Sequence, residues 1–166
     1  MKQILYERLI QFIIDNQDRF YRMAYSYTRH QEDALDAVQS AVCKALEAHR
    51  GIRNADAIKT WFYRILINEC LKVLKSRKKV VLTADAVGQE EGYLEERYEQ
   101  GGDIIRELEK LETDIQGIIR LRVFEEMSLK EISAITGLNL NTVKTKLYRG
   151  LKQLKENMQE ADVWVN

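Results

Sequence analysis

The sequence has no proline, and its 166 residues include only two cysteines and two histidines. Because proline is the residue that most strongly ends a helix, its absence leaves long helices possible anywhere in the chain. Cys43 and Cys70 lie among apolar residues at helical spacing, and His30 and His49 add no ligand cluster. We therefore expect two buried free thiols, with neither a disulfide nor a metal site.

The sequence also lacks the short motifs that carry much enzymatic chemistry. It contains no CxxC, no HExxH, no glycine-rich phosphate loop and no GxSxG, so we expect a protein that is not an enzyme, with no catalytic residue and no cofactor. No apolar run is long enough to span a bilayer, and the first residues show no signal-peptide pattern. We expect a soluble, cytoplasmic protein without direct membrane insertion.

The formal net charge is zero, but the charges are unevenly distributed along the chain. Residues 1–80 hold 15 basic and 9 acidic side chains, residues 81–114 hold 3 and 11, and residues 115–166 hold 8 and 6. Two basic segments therefore flank an acidic one, so the zero total is an average over unlike parts.

The acidic middle of the chain has the composition of a tether. The stretch TADAVGQEEGYLEERYEQGGD, from Thr83 to Asp103, contains four glycines and little apolar periodicity, so it need not fold alone. We predict two domains, over residues 1–80 and 104–166, joined by a flexible acidic linker over residues 81–103.

Both predicted domains have a helical pattern. Apolar residues recur at spacings of three and four, whereas strand signals are nearly absent apart from the short run Val80 to Leu82. We predict an all-α protein of two small helical domains. The expected helices span residues 3–28, 31–49 and 56–78 in the first domain, and 103–112, 114–126, 129–136 and 140–158 in the second.

The stretch LKEISAITGLNLNTVKTKLYRGLKQLK, from Leu129 to Lys155, has the signals of two helices joined by a tight turn. Ser128 and Glu131 form a predicted capping box that starts the first helix. Gly137 can take the positive φ that ends it, and the side chain of Asn139 can cap the second helix. The sequence therefore predicts a helix-turn-helix.

The second helix of this motif separates an apolar face from a cationic one. We predict that Val143, Leu147, Leu151 and Leu154 face the core. The other faces carry cations and hydrogen-bonding groups suited to bases and phosphates in a major groove. A solvated basic helix, favourable near its own C-terminus, is the alternative interpretation. The candidate DNA-binding residues are Asn141, Thr142, Lys144, Thr145, Lys146, Tyr148 and Arg149.

The third predicted helix of the first domain is both basic and aromatic. From Ala57 to Lys79 it holds seven basic residues and one acid, Glu69. Trp61, Phe62 and Tyr63 lie at its start, where rings either support a core or pack beside bases drawn out of a duplex. Each ring taken singly favours the core, but the basic stripe leaves both interpretations of Trp61 open.

Three ordered stretches resemble a known family: QEDALDAVQSAVCKALEA (residues 31–48), KTWFYRILINECLK (59–72) and NTVKTKLYRGLKQL (141–154). They resemble the sigma-70 family of bacterial transcription initiation factors, and more narrowly its extracytoplasmic function (ECF) subfamily, which keeps the second and fourth conserved regions. The resemblance implies that the first domain is a region 2 bundle, which binds core RNA polymerase and the −10 element. The second is then a region 4 helix-turn-helix bundle, which binds the −35 element.

The resemblance further implies that the helix beginning near Gln31 docks on the clamp helices of the polymerase β′ subunit, with the β subunit as another contact. The matching positions offer an acidic, amide-bearing face with apolar side chains, although an ordinary solvated helix face has the same pattern. The implied polymerase-binding residues are Asp33, Leu35, Asp36, Val38 and Gln39.

In the family, the loop before the third helix and one face of that helix hold the non-template strand of the −10 element and help to open it. Asn68 lies two turns from Trp61, and its amide can both donate to and accept from a flipped base. The sequence has Ile52 where an aromatic residue is frequent. The implied −10 contacts are Ile52, Arg53, Asn54, Trp61, Asn68 and Lys72.

The implied partners are core RNA polymerase, promoter DNA and an anti-sigma factor, which in this family is commonly anchored in the membrane. A stand-alone helix-turn-helix regulator, binding palindromic DNA without polymerase, is the alternative function. A pure interaction protein would make no sequence-specific DNA contact. Neither alternative needs the basic, aromatic third helix.

Overall fold

The computed structural model describes residues 2–83 and 102–165, and all the regular structure in those two ranges is helical. The chain divides into two units, one before residue 90 and one from residue 90 onward. The predicted linker falls largely on residues 84–101, which lie outside the described residues. Within the described ranges, no helix combines the length and apolar character needed to cross a membrane.

The first unit is a bundle of four helices closed by aromatic packing. The ring of Phe20 lies 4.4 Å from that of Phe62, and the ring of Phe12 lies within 6 Å of both, at 5.5 and 5.9 Å. Leu9 and Leu66 are fully buried beside them. Each such side chain contributes about 1.5–3 kcal/mol by leaving water. The helices are α1 (Lys2–Asp15), α2 (Gln17–Thr28), α3 (Gln31–Glu47) and α4 (Ile58–Thr83), with 3₁₀ turns at His49–Gly51 and Ala55–Ala57.

The predicted single helix over residues 3–28 is wrong, because the chain breaks at Asn16. This residue has φ −120° and ψ 19°, and its side-chain amide donates to the carbonyl of Phe12 at 2.8 Å. Asparagine competes in this way with the regular backbone bonds of a helix. The break gives α1 and α2 independent directions, so that Phe12 and Phe20 both reach Phe62.

Helix α4 is longer than predicted and includes Val80, Val81 and Leu82, the run with strand character. Its buried face holds Phe62, Tyr63 and Leu66. Continuation of the helix through β-branched residues shows that the local propensity of a short run is a weak determinant.

One cysteine prediction is confirmed and the other is wrong. Cys70 is fully buried on α4, whereas Cys43 is exposed on α3. The core face of α3 is formed by residues such as Ala41 and Ala45, and Cys43 lies midway between them in sequence, about 200° around the helix from each. Helical register therefore directs its thiol to solvent.

The second unit contains α5 (Gly102–Glu109), α6 (Thr113–Ile119), a π-helical turn (Arg120–Phe124), α7 (Leu129–Thr136) and α8 (Leu140–Val165). The predicted helix over residues 114–126 is interrupted by the π turn, where Arg120 is only 1% exposed and donates to the side chain of Gln116 at 3.1 Å. The bounds predicted for α7 are confirmed. Helix α8 starts as predicted but continues beyond residue 158 to Val165.

The core face of α8 differs from the prediction at one position. Leu151 is 37% exposed, and Gly150 is buried in its place. A Cβ atom on Gly150 would lie 2.5 Å from Cγ2 of Ile115 and 2.8 Å from Cδ1 of Ile119. Because Gly150 has no side chain, α8 can pass close to α6, and no larger residue fits at this position. The core face therefore runs through Val143, Leu147, Gly150 and Leu154.

Candidate nucleic-acid interface

The first helix of the helix-turn-helix is capped as predicted. The Ser128 hydroxyl accepts the Glu131 amide N–H at 3.1 Å, and the Glu131 carboxylate accepts the Ser128 amide N–H at 3.1 Å. Gly137 has φ +78° and donates its N–H to the Ser133 carbonyl at 2.9 Å. These bonds satisfy backbone groups at both ends of α7 and fix its length at two turns.

The turn after α7 leads directly into α8. The side-chain oxygen of Asn139 accepts the amide N–H of Thr142 at 2.8 Å, which confirms the predicted cap. Ile132 and Ile135 on α7 are buried with Val143 and Leu147 of α8. The two helices of the motif therefore share one apolar core.

The outer face of α8 is cationic and exposed. From Leu140 to Lys155 the helix contains no acid, so no carboxylate within this stretch offsets its positive charge. Tyr148 is 60% exposed and offers a hydroxyl beside the cations. Thr142 is half-buried next to the cap. The other exposed candidates on this face are Asn141, Lys144, Thr145 and Arg149.

Lys146 differs from the neighbouring cations because it is engaged inside the domain. Its ammonium donates to Asp114 of α6, and its side chain is 24% exposed. This hydrogen bond lowers the pKa of Asp114, against the opposing effect of burial. Lys146 therefore ties α8 to α6, and its predicted contact with DNA would have to compete with this pairing.

The loop before α4 presents two of the three predicted residues. Ile52 is 6% exposed, so its side chain packs inward and does not meet a ligand at the surface. Arg53 and Asn54 are exposed, and the side-chain oxygen of Asn54 accepts the Ala57 amide N–H at 3.0 Å. Buried Ile52 and the Asn54 cap hold the loop, which leaves the Arg53 guanidinium at the surface.

The aromatic residues at the start of α4 divide between core and surface. Phe62 is fully buried and Tyr63 is 2% exposed. This agrees with the prediction that each ring taken singly favours the core. Trp61 is only half-buried, so part of its ring remains accessible. Asn68 and Lys72 follow Trp61 on the same helix by seven and eleven residues. These spacings place the three residues on one face of α4.

A cleft of about 660 Å³ lies between α3 and α4. Two of its lining residues, Asn68 and Lys72, were candidates from the sequence. Lys44 and Glu69 were missed, because α3 and α4 bring them together across 25 residues of chain. Only the i, i+3 spacing of Glu69 and Lys72 could have been noticed beforehand. The remaining lining residues are Glu47, Ala48, Ile65, Leu71 and Lys75.

The candidate polymerase-binding face on α3 is only partly exposed. Leu35 is 44% exposed, and Asp36 and Gln39 are also exposed. Val38 is 6% exposed and belongs to the core, so its predicted surface contact is corrected. Helical spacing explains this outcome, because Val38 follows Ala34 by one turn on the inward face.

Asp33 is held by the end of α4. The Arg77 Nε donates to the Asp33 carboxylate at 2.9 Å, and the same guanidinium donates to the Thr28 carbonyl at 2.6 Å. At the start of α3, Nδ1 of His30 accepts the Asp33 amide N–H at 3.3 Å. The pair of Asp33 and Arg77 thus joins α3 and α4, and Arg77 also joins them to the end of α2. Within the described residues, no group of three or more histidine, cysteine or acidic side chains could hold a metal ion.

The chain matches known proteins over both units. Residues 12–80 match the family described as Sigma-70 region 2, and residues 102–154 match Sigma-70, region 4. RNA polymerase sigma factor SigV of Bacillus subtilis (strain 168) is 38% identical over 162 residues, covering 98% of each chain. ECF RNA polymerase sigma factor SigW of the same strain is 26% identical over 158 residues, covering 86% of this chain and 84% of SigW.

A solved structure shares the fold. The sigma factor RpoE of Bartonella quintana, crystallised in complex with the anti-sigma factor NepR, superposes with a TM-score of 0.72 at 22% identity. The alignment covers 90% of this chain and 95% of that one. The fold of this chain is therefore similar to one seen in an experimental structure.

Proposed function

The chain belongs to the sigma-70 family of RNA polymerase sigma factors, within its ECF subfamily, and from this premise we propose that it is a transcription initiation factor. It binds core RNA polymerase and directs the enzyme to promoters by recognising their −35 and −10 elements. Residues 1–80 serve as the polymerase and −10 domain, residues 104–166 as the −35 domain, and residues 81–103 as the tether. The acid-free cationic face of the capped helix α8 is the single observation that carries the proposal.

Helix α8 reads the −35 element as a duplex. Its N-terminal turns enter the major groove, as the second helix of a helix-turn-helix does. Asn141, Lys144 and Arg149 reach base edges or phosphates, and Thr145 and Tyr148 supply hydroxyl groups for hydrogen bonds. Lys146 contributes indirectly, because its bond to Asp114 fixes the rotation of α8 against α6.

The loop before α4 and the outer face of α4 hold the −10 element as a single strand. Arg53 contacts phosphate, and the accessible part of the Trp61 ring supports an unstacked base. Asn68 and Lys72 lie further along α4 beside the cleft. This surface also helps to melt the −10 element, because a surface that binds only the unpaired strand shifts the equilibrium toward the opened duplex.

Helix α3 docks on core polymerase. Leu35, Asp36 and Gln39 form the surface that meets the clamp helices of β′, with an apolar anchor between polar groups. Asp33 positions this surface through Arg77, and the β subunit supplies a further contact. The chain carries out no bond chemistry itself and works in the cytoplasm, where the polymerase acts. An anti-sigma factor is the proposed regulatory partner.

The direct test is run-off transcription from a bank of random promoters, using bacterial core polymerase with and without the protein. We expect transcripts that depend on the protein and that share two separated promoter elements. Absence of such transcripts, together with specific retention of duplexes by the protein alone, would instead identify a stand-alone regulator.

A further inference from the structure

The cleft between α3 and α4 has an acid at its base and cations at its rim. The Glu69 side chain is 9% exposed, whereas those of Lys44 and Lys72 are 46% and 63% exposed. Among the residues from Ala57 to Lys79, Glu69 is the single acid. A carboxylate is an unfavourable neighbour for DNA phosphate, so the recessed place of Glu69 on this otherwise basic stretch of α4 indicates a function other than backbone attraction.

Both lysines bind the same carboxylate oxygen. The Lys44 ammonium donates to Oε1 of Glu69, and the Lys72 ammonium lies 3.4 Å from that oxygen. The hydrogen bond to Glu69 raises the pKa of Lys44. Within the described residues, no hydrogen bond to Oε2 accompanies these two, so the second oxygen keeps its capacity to accept.

We propose that Glu69 is a specificity-determining residue of the cleft, whose carboxylate accepts a hydrogen bond from the exocyclic amine of an unpaired base. This inference rests on the proposed function, in which α4 holds a single strand. Cytosine, adenine and guanine each carry an exocyclic amine, whereas thymine presents carbonyl oxygens at the corresponding edges. An ionised carboxylate only accepts hydrogen bonds, so the O4 oxygen of thymine meets repulsion where cytosine offers its amine, and thymine has to shift to present its ring N3–H instead.

Lys44 and Lys72 have a role different from that of Glu69. Their exposed ammonium groups at the rim attract the phosphate that follows the captured base, and the same groups hold the carboxylate in place. Asn68, beside Glu69 on the cleft wall, can donate to a ring nitrogen or accept from a ring N–H. A base with an amine next to a ring acceptor, such as cytosine, is therefore complementary to the pair.

The experiment compares holoenzymes assembled from bacterial core polymerase and three forms of the full chain: wild type, Glu69→Gln and Glu47→Gln. Each holoenzyme selects from a library of random single-stranded DNA, with core polymerase alone as background. Glu47 also lines the cleft but is exposed, so its substitution removes the same charge without removing the deeper carboxylate. Circular dichroism melts verify that both variants remain folded.

The second measurement varies the base. Oligonucleotides with the selected sequence are prepared with cytosine or uracil at the selective position, which exchanges an amine for a carbonyl and leaves the rest of the strand unchanged. Because a hydrogen bond to a charged group is at stake, we expect wild-type holoenzyme to prefer cytosine by about tenfold. The amide introduced by Glu69→Gln can turn either its oxygen or its nitrogen toward the base, so the preference falls to near one in that variant.

The outcomes separate the two proposals. A position depleted of thymine in the wild-type and Glu47→Gln selections, but not in the Glu69→Gln selection, supports the inference. Equal cytosine and uracil affinities in wild type, or identical selections for wild type and Glu69→Gln, overturn it while leaving strand binding intact. Selection no better than core polymerase alone overturns the proposed function, and the inference with it.

Discussion

The two long helices α4 and α8 are each 26 residues long and rich in cations, yet they present those cations differently. On α8 the charge faces solvent without any acid from Leu140 to Lys155. On α4 the cation Lys72 pairs with a recessed acid, Glu69, and the same helix carries a half-buried tryptophan, Trp61. The difference matches two tasks, because a duplex offers a dense line of phosphates, whereas an unpaired strand offers base faces and edges as well.

Of the changes that separate the functions of α4 and α8, we expect the largest effect from filling the space beside Gly150. In Gly150→Leu, the new side chain meets Ile115 and Ile119 where a Cβ alone already lies at 2.5 and 2.8 Å. We expect a loss of about 3 kcal/mol in unfolding free energy of the second unit, with loss of −35 duplex binding. Denaturant melts of the full chain measure it. Gly51→Leu is the matched control, because a Cβ there meets nothing within 4 Å, and an equal loss in that variant would contradict the packing account.

Salt dependence sharpens the contrast between the helices. Four cations of α8 remain for phosphate once Lys146 is assigned to Asp114: Lys144, Arg149, Lys152 and Lys155. We expect the logarithm of duplex affinity to fall against the logarithm of salt with a slope of about −3.5, roughly a hundredfold loss for a fourfold rise in salt. Fluorescence anisotropy with holoenzyme and the selected DNA measures it. The single strand should give a shallower slope, because only Arg53, Lys44 and Lys72 are proposed to contact its phosphates and each contact on a single strand contributes about 0.7 where a duplex contact contributes about 0.9. Equal slopes would contradict the assignment of duplex to α8 and single strand to α4.

Single substitutions on α8 distinguish base contacts from phosphate contacts. Arg149→Ala and Lys144→Ala should each cost about 1–3 kcal/mol at one base pair if the side chain reads a base. A phosphate contact instead weakens every sequence alike and makes the salt slope less steep by about 0.9. Affinities for a panel of single-base-pair variants decide between the two. Neither pattern in either variant would show that this face of α8 does not enter the groove.

The smallest expected effect concerns the pair between Asp114 and Lys146. The pKa of Asp114 lies below its ordinary value of 3.8, so the folded state binds fewer protons than the unfolded state in that range. The pair's contribution is complete above pH 3.8 and is lost as pH falls through the lowered pKa. We expect Asp114→Asn to destabilise the protein by less than about 1 kcal/mol at neutral pH.

Denaturant melts of Asp114→Asn and wild type at neutral and acidic pH measure this effect. The difference between them should shrink in acid. Glu112→Gln serves as a control, because Glu112 is exposed and makes no side-chain cap hydrogen bond at the start of α6. A difference that stays constant with pH would show that the carboxylate charge is not what stabilises the contact.

Local signals in the sequence were sufficient for the helix-turn-helix. The capping box of Ser128, the positive φ of Gly137 and the cap by Asn139 depend on neighbours within a few residues, and all three are confirmed. Contacts between distant segments were not predictable in this way. Gly150 has no side chain to signal burial, and its position became evident only when α8 packed against α6.

The first unit likewise combines features that local sequence predicts with contacts between distant segments that it does not. Buried Phe62 and Tyr63 follow from their apolar rings, but a single asparagine is a weak local signal, and the break at Asn16 was evident only once Phe12 and Phe20 both packed against Phe62. The meeting of Lys44 and Glu69 likewise requires α3 and α4 to lie side by side. The candidate site was therefore predictable on each helix separately, and the cleft between two helices was not.

The central claim is that α8 holds duplex DNA while α4 holds an unpaired strand of the same promoter. Footprinting and permanganate reactivity on a promoter recovered from the transcription assay test it together, with core polymerase present. We predict protection of an upstream duplex element, and downstream permanganate-reactive thymines that appear only when the protein is added. Arg149→Ala should weaken the upstream protection. Protection of a palindromic duplex by the protein alone, with no reactive thymines at any polymerase concentration, would contradict the account.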